Sequence, residues 1–156
     1  ESRKKYLWPE LLKLAQSVKD GDRVLDAGCG NGRLLMAFGD KDIGYLGVDS
    51  SSRLIESARE HQKLGRGNKK LQVGDILELD KIPENDFDSI YSVAVLHHLP
   101  GKNLRVKALE QMKHKLKPGG QIIITVWNLW SQEKFKKLIN KFFIAKLLGR
   151  KREISW

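Results

Sequence analysis

Three acidic side chains, each standing where a short apolar run ends, are the residues of this sequence best placed to do chemistry. The first is Asp26, in Arg23-Val-Leu-Asp-Ala-Gly-Cys-Gly-Asn-Gly-Arg33, two residues ahead of Gly28 and followed by Gly30 and Gly32. Glycine turns the backbone tightly at positive φ and leaves no Cβ between main chain and ligand. A dinucleotide fingerprint spaces its glycines G-x-G-x-x-G around a pyrophosphate at a helix N-terminus. Here the spacing is G-x-G-x-G, and a carboxylate beside it would repel a pyrophosphate. It suits a ligand that carries an ammonium and a sulfonium, which points to S-adenosylmethionine rather than NAD.

The second acid, Asp49, ends the run Gly44-Tyr-Leu-Gly-Val-Asp49. It stands about 20 residues after the loop, where an acid at a strand's carboxyl end can accept both hydroxyls of an adenosine ribose. Ser50-Ser51-Ser52 follow as N-cap residues for a helix reaching about Leu64. The third, Asp75 in Gly74-Asp75-Ile76, follows a short strand over 70–73. It could accept from an adenine amino group while Ile76 packs on the ring face. A helix-start acid at Asp49 and a simple turn acid at Asp75 are the plainer alternatives. What favours the chemical reading is company, since three successive strands would each deliver one acid to one crevice.

The elements that must position these residues alternate. An amphipathic helix over 1–20, with Leu7, Leu11, Leu14, Ala15 and Val18 at helical spacing, precedes a strand at Val24-Leu25. Leu34 to Phe38 continue in an apolar helical pattern that closes near Gly39. Phe87 to Val93 read as a fourth strand and Lys102 to Leu116 as a helix. Lys117-Pro118-Gly119-Gly120 signals a turn, and Gln121 to Trp127 form a near-continuously apolar fifth strand. A last helix carries Phe135, Leu138, Ile139, Phe142 and Phe143 on one face and Lys134, Lys136, Lys137, Lys141 and Lys146 on the other. The alternation predicts an α/β fold, a Rossmann-like doubly wound parallel sheet in a single domain spanning 1–156. Its ligand would lie at the carboxyl ends of the strands, where strand order reverses beside the first.

Composition narrows the function classes. A chain of 156 residues, 40% hydrophobic and 31% charged, is ordinary for a soluble domain. No apolar run approaches the roughly 18 residues of a membrane span, and no signal peptide is read at the start. Cys29 is the only cysteine, which excludes an intrachain disulfide and favours a reducing, cytoplasmic compartment. Four scattered histidines and one thiol make no metal-ligand cluster, so no metal is expected. The excess of 29 Lys+Arg over 19 Asp+Glu, a net charge of +10, favours encounter with polyanions such as nucleic acid. A solvated basic surface is the alternative.

Taken together, acid-x-Gly-x-Gly-x-Gly, an acid ending the second strand, Gly-Asp-Ile after the third and Leu-Lys-Pro-Gly-Gly before the fifth resemble the class I S-adenosylmethionine-dependent methyltransferases. The resemblance covers residues 20–130 and implies the cofactor S-adenosylmethionine, with S-adenosylhomocysteine as product. It puts Asp26, Gly28, Gly30 and Gly32 along the methionine, Asp49 and Ser50 at the ribose and Asp75 and Ile76 at the adenine. Val93 and Ala94 would lie under the reactive methyl. That family's sheet has seven strands, and this sequence ends before the last two could form: it is either a piece of a longer chain or a minimal form.

A narrower likeness lies in Ser92-Val-Ala-Val-Leu-His-His98, Arg105, the Val126-Trp127 strand end and Trp8-Pro9. These are similar to the tRNA methyltransferases that esterify a carboxymethyl group on wobble uridine, whose eukaryotic members need a small activating partner protein. On that reading His97, His98 and Arg105 orient the acceptor. The plainer readings are a helix-start residue packed on the sheet for His98 and a solvated charge for Arg105. A small-molecule methyltransferase of quinone or lipid-precursor type is the competing enzyme. A non-enzymatic scaffold would have no need of all three acids.

Overall fold

The structure, a computed structural model, describes residues 9–61 and 66–127. Its strands are β1 (Arg23–Ala27), β2 (Gly44–Asp49), β3 (Lys69–Val73), β4 (Phe87–Val93) and β5 (Leu116–Thr125). All pair in parallel, in the order β3-β2-β1-β4-β5. Helices α1 (Pro9–Ala15), α2 (Ser52–His61) and α3 (Gly101–Lys115) complete the frame. The chain fills one side of β1 with β2 and β3, then crosses back to place β4 and β5 on the other. The strand order therefore reverses between β1 and β4, as the sequence predicts, and this is where open α/β sheets bind ligands. Among the described residues no helix is long and apolar enough to cross a membrane.

Side chains alternate across each strand, and this alternation divides the apolar residues into two cores. On one face Val24, Tyr45, Leu71, Tyr91 and Ile123 meet Ala15, Val18, Phe38, Ile55 and Ala58. On the other, Leu25, Leu46, Val48 and Ile90 meet Leu79, Ile82, Ala108 and Met112. With both faces covered, Val24, Leu25 and Ala27 of β1 and Tyr45, Leu46 and Val48 of β2 are buried, and even the polar Ser89 and Ser92 of β4 are sealed from solvent. Phe38 stands edge-on to Tyr91, ring centroids 5.6 Å apart, and tilted to Tyr45 at 6.1 Å.

Two elements depart from the sequence reading. Arg33–Phe38 forms a 3₁₀ helix rather than an α-helix. Gly32 (φ 73°) before it and Gly39 (φ 55°) after it both turn left-handed, leaving six residues for a single tight segment. The fifth strand also begins earlier than expected, at Leu116, and ends at Thr125, so Val126 and Trp127 lie beyond it. The Lys117-Pro-Gly-Gly signal is absorbed as an irregularity in that strand. Phe87 pairs with Leu116 and Ser89 with Gln121, so 117–120 bulge out opposite Asp88. Of the three serines Ser50–Ser52, Ser51 is the cap and Ser52 the first residue of α2: the Ser51 Oγ accepts from Leu54 N–H at 3.3 Å. The expected helix start at 1–8, the helix end at 62–65, and the basic face over 134–152 lie outside the described residues.

One lysine ties the first helix to the sheet. Lys41 Nζ donates to the carbonyls of Ala15 (2.8 Å), Gln16 (3.3 Å) and Val18 (2.5 Å). It thereby satisfies carbonyls that α1 and its exit turn leave without a helical partner. Lys41→Met keeps the aliphatic stem and removes the donors. It is expected to lower stability by about 1–3 kcal/mol, the cost of a partly buried Val18 carbonyl left without its donor, read as a shifted urea midpoint with unchanged slope.

Candidate functional site

The site is built from the carboxyl end of β2. The Val48 carbonyl accepts from both Gly28 N–H (2.8 Å) and Cys29 N–H (2.9 Å), and the Asp49 carboxylate takes Gly30 N–H on Oδ2 at 2.8 Å. Asp49 Oδ1 accepts from Ser51 N–H at 2.9 Å. One carboxylate thus holds both the glycine loop and the turn into α2. Further along, Gly74 N–H donates to the Asp49 carbonyl at 3.0 Å. The ends of β1, β2 and β3 are in this way stitched side by side.

The three acids do lie at three neighbouring strand ends, but their surroundings differ. Asp26 is 1% exposed. Its Oδ2 accepts from the Tyr45 hydroxyl at 2.7 Å, and its Oδ1 is buried without a hydrogen-bond partner. Burial pushes its carboxyl up to about 7, against the Tyr45 hydrogen bond, which pulls it down, and with the Asp49 charge, which raises it. Asp49 is half-buried and Asp75 exposed. Asp75 Oδ1 accepts from Leu77 N–H at 2.9 Å, the short-range bond of a turn acid. Ile76 belongs to the core, 6% exposed and packed with Leu79 and Ile82, so its side chain faces the interior. Ser50 is exposed beside Asp49.

The glycines do separate jobs. Gly28, at φ 86°, passes beneath Val95: a Cβ there would stand 2.4 and 2.8 Å from the two Val95 methyls. Gly30, at φ 54°, would meet nothing within 4 Å, so bare backbone faces open space. Val95 reaches its position because Ala94 adopts φ 58°, left-handed for a residue with a side chain. That turn is held from β5, where Ala94 N–H donates to both the carbonyl (3.0 Å) and Oγ1 (3.1 Å) of Thr125. Val93, half-buried, packs against the first core just before it.

The histidine pair follows at the same edge, on the 3₁₀ turn Leu96–His98. The rings lie 4.3 Å apart, His97 half-buried and His98 exposed. Burial, and then the neighbouring His98, lower the His97 imidazole below its ordinary value, favouring the neutral ring. Arg105 is exposed one turn into α3, its Nε donating to the Gly101 carbonyl at 3.0 Å. Cys29 is buried and its thiol is pushed up, chiefly by burial and then by Asp26 and Asp49, so it is a poor nucleophile. Among the described residues no three His, Cys, Asp or Glu side chains gather as a metal site would require.

Tyr45, Val95 and Thr125 are the residues that sequence reasoning missed. Tyr45 carries no motif and reads as a core aromatic, Val95 only as part of the Ser92–His98 segment after the fourth strand, and Thr125 as one more β-branched residue. Gly28→Ala is expected to destabilise the fold by about 2–4 kcal/mol, from the Val95 clash and the positive φ together. Val95→Ala in the same chain should restore only the steric share, measured by chemical unfolding of the single and double variants.

The chain matches the family model described as a methyltransferase domain over residues 18–148. It is 31% identical over 143 residues to the tRNA (carboxymethyluridine(34)-5-O)-methyltransferase ALKBH8 of Mus musculus, covering 92% of this chain and 20% of that protein. To the Arabidopsis thaliana tRNA (carboxymethyluridine(34)-5-O)-methyltransferase it is 38% identical over 120 residues, covering 77% of this chain and 28% of the other. Among solved structures, it superposes at TM-score 0.65 on a methyltransferase in complex with the Haloferax volcanii Trm112 methyltransferase activator, with 26% identity over 83% of this chain and 56% of that one. A TehB-like SAM-dependent methyltransferase of Corynebacterium glutamicum also gives 0.65, with 25% identity over 90% and 74% of the two chains. The chain spans between a fifth and a third of the length of the first curated relatives it matches. A sheet that reverses beside β1, a glycine loop hung from β2 and a family match over most of the sequence agree: this chain belongs to the methyltransferase domain family.

Proposed function

We propose that this chain is a single S-adenosylmethionine-dependent methyltransferase domain acting on tRNA, where it esterifies a carboxymethyl group on wobble uridine. The observation that carries the cofactor assignment is the Asp49 carboxylate, which fixes the glycine loop beside an open space while keeping lone pairs for a ribose. The residues fit the group: Asp26 has a buried oxygen in want of a donor, and no Cβ covers Gly30. Asp26, Gly28, Gly30 and Gly32 would hold the methionine, Asp49 and Ser50 the ribose, and Asp75 the adenine amino group. Ile76 would support the adenine through its backbone, since its side chain is core. Val93 and Ala94 would border the reactive end. S-adenosylmethionine supplies an electrophilic methyl and leaves as S-adenosylhomocysteine.

A carboxylate acceptor is ionised at neutral pH and needs no base. The work left to the protein is alignment and exclusion of water. His97, favoured as the neutral ring, can hydrogen-bond the acceptor without adding charge, while His98 and Arg105 present polar and cationic groups to its phosphates. A net charge of +10 suits an RNA partner, and binding should weaken steeply as salt rises. The names of the mouse and Arabidopsis relatives support the tRNA substrate, and the Haloferax complex supports a small activating partner protein. The lone cysteine and the tRNA substrate favour a cytoplasmic setting.

Asp49→Ala is expected to weaken S-adenosylhomocysteine binding about 10- to 100-fold, the worth of a hydrogen bond to a charged group. Calorimetry checks it, and unchanged affinity would remove the ribose assignment. Total tRNA from a knockout strain should lose one methyl-esterified wobble nucleoside by mass spectrometry. An unaltered profile together with salt-insensitive substrate binding would favour the small-molecule reading.

A further inference from the structure

Methyl transfer to a carboxylate makes no use of the Tyr45 hydroxyl, yet it lies 2.7 Å from the most deeply buried carboxyl in the site. The room for this pair comes from Gly47, the register partner of Asp26. A Cβ at Gly47 would stand 2.6 Å from Leu71 Cδ2 and 3.1 Å from both Cys29 Sγ and Tyr45 Cε1. The ring of Tyr45 therefore fills the space that a side chain at 47 would take, and its hydroxyl reaches diagonally across the β1–β2 ladder to Asp26.

We propose that the Tyr45–Asp26 pair couples cofactor binding to the release of a proton: below neutral pH the free protein keeps Asp26 protonated, and the ammonium of the methionine moiety displaces that proton. The proposal rests on the placement of Asp26 at the methionine end of the cofactor given above. The geometry is a carboxyl 1% exposed with one donor on Oδ2 and none on Oδ1. Among the described residues, the titratable groups that act on it or on which it acts are Tyr45 and Asp49 from β2, Cys29 from the loop and Tyr91 from β4. None of these carries positive charge. A buried carboxylate without a cation is costly, so the acid holds its proton.

A ligand ammonium reverses the balance, since an opposite charge within about 4–6 Å lowers a carboxyl by about 1–3 pH units. The sign follows. With the free carboxyl at about 7, binding below that pH must displace a proton, and binding above it need not. Tyr45 is a positioning residue here: its hydroxyl donates to the carboxylate and so draws the midpoint down from where burial alone would leave it.

The test is calorimetry of S-adenosylhomocysteine in buffers of different ionisation heat. With the bound carboxyl lowered by about 1–3 units, about four- to nine-tenths of a proton should be released per ligand at pH 6 and about one-tenth at pH 8, with affinity rising about five- to tenfold between them. Methylthioadenosine, which lacks the amino-acid end, should release none. Tyr45→Phe should move the midpoint to higher pH, and Asp26→Asn should abolish both the release and the pH dependence. The carboxyl carbon of Asp26, followed by NMR in the unaltered protein, should titrate near neutrality when free and well below it with ligand. Proton-free binding at pH 6, or a midpoint unmoved in Tyr45→Phe, overturns the coupling while leaving the cofactor site standing. No binding of S-adenosylhomocysteine at any pH overturns the site assignment and the coupling with it.

Discussion

The structure depends on how the glycine loop is hung from the carboxyl end of β2. A loop of G-x-G-x-G has little conformational preference of its own, because glycine's freedom permits many shapes as readily as the one observed. What selects this shape is a set of acceptors that sit on another strand. The Val48 carbonyl takes two successive loop amides and the Asp49 carboxylate takes the next. A short β-strand thus dictates the geometry of a loop about 20 residues away, and an acid that reads from spacing as a ligand-binding group is also the loop's scaffold. The two roles are compatible, since each carboxylate oxygen has a lone pair beyond the one its backbone partner occupies.

The three strand-end acids form a graded series rather than a uniform set. Asp75 is exposed and satisfied by its own turn, Asp49 is half-buried and satisfied by two elements, and Asp26 is sealed and only half satisfied. The gradient follows from position in the sheet. β3 is an edge strand, whereas β1 lies at the centre, covered by both cores. Central burial makes a carboxyl sensitive to whatever charge arrives beside it, because a low dielectric magnifies each interaction. The reversal point of the sheet, where open α/β sheets bind ligands, is therefore also the place where a single added charge would have the greatest effect.

Much of this was legible in the sequence. The runs ending at Asp49 and Val93 mark β2 and β4 to the residue, because turn-forming residues precede each and the strand that follows is largely buried, the small polar Ser89 and Ser92 included. The three acids are identifiable by spacing from one glycine loop. What the sequence conceals is whatever depends on register between strands. Tyr45 meets Asp26 only because Gly47 is the residue opposite, and Thr125 meets Ala94 only because β5 lies beside β4. Local pattern also misjudges geometry where two positive-φ glycines confine a segment, so apolar spacing at Leu34–Phe38 reads as α-helix and folds as 3₁₀. Ile76 shows the converse: its place after a strand suggests a ligand contact, while the sheet turns its side chain into the core.

The bond from Ala94 to Thr125 carries a consequence for assembly. The left-handed turn that lays Val95 over Gly28 is secured by the last residue of the fifth strand, 31 positions further along. A nascent polypeptide that has emerged only as far as α3 therefore possesses the glycine loop, all three acids and both histidines, but not the strap that closes over them. Affinity for a small ligand at this edge would thus report on the docking of β5, and binding during synthesis would select chains in which that strand has docked.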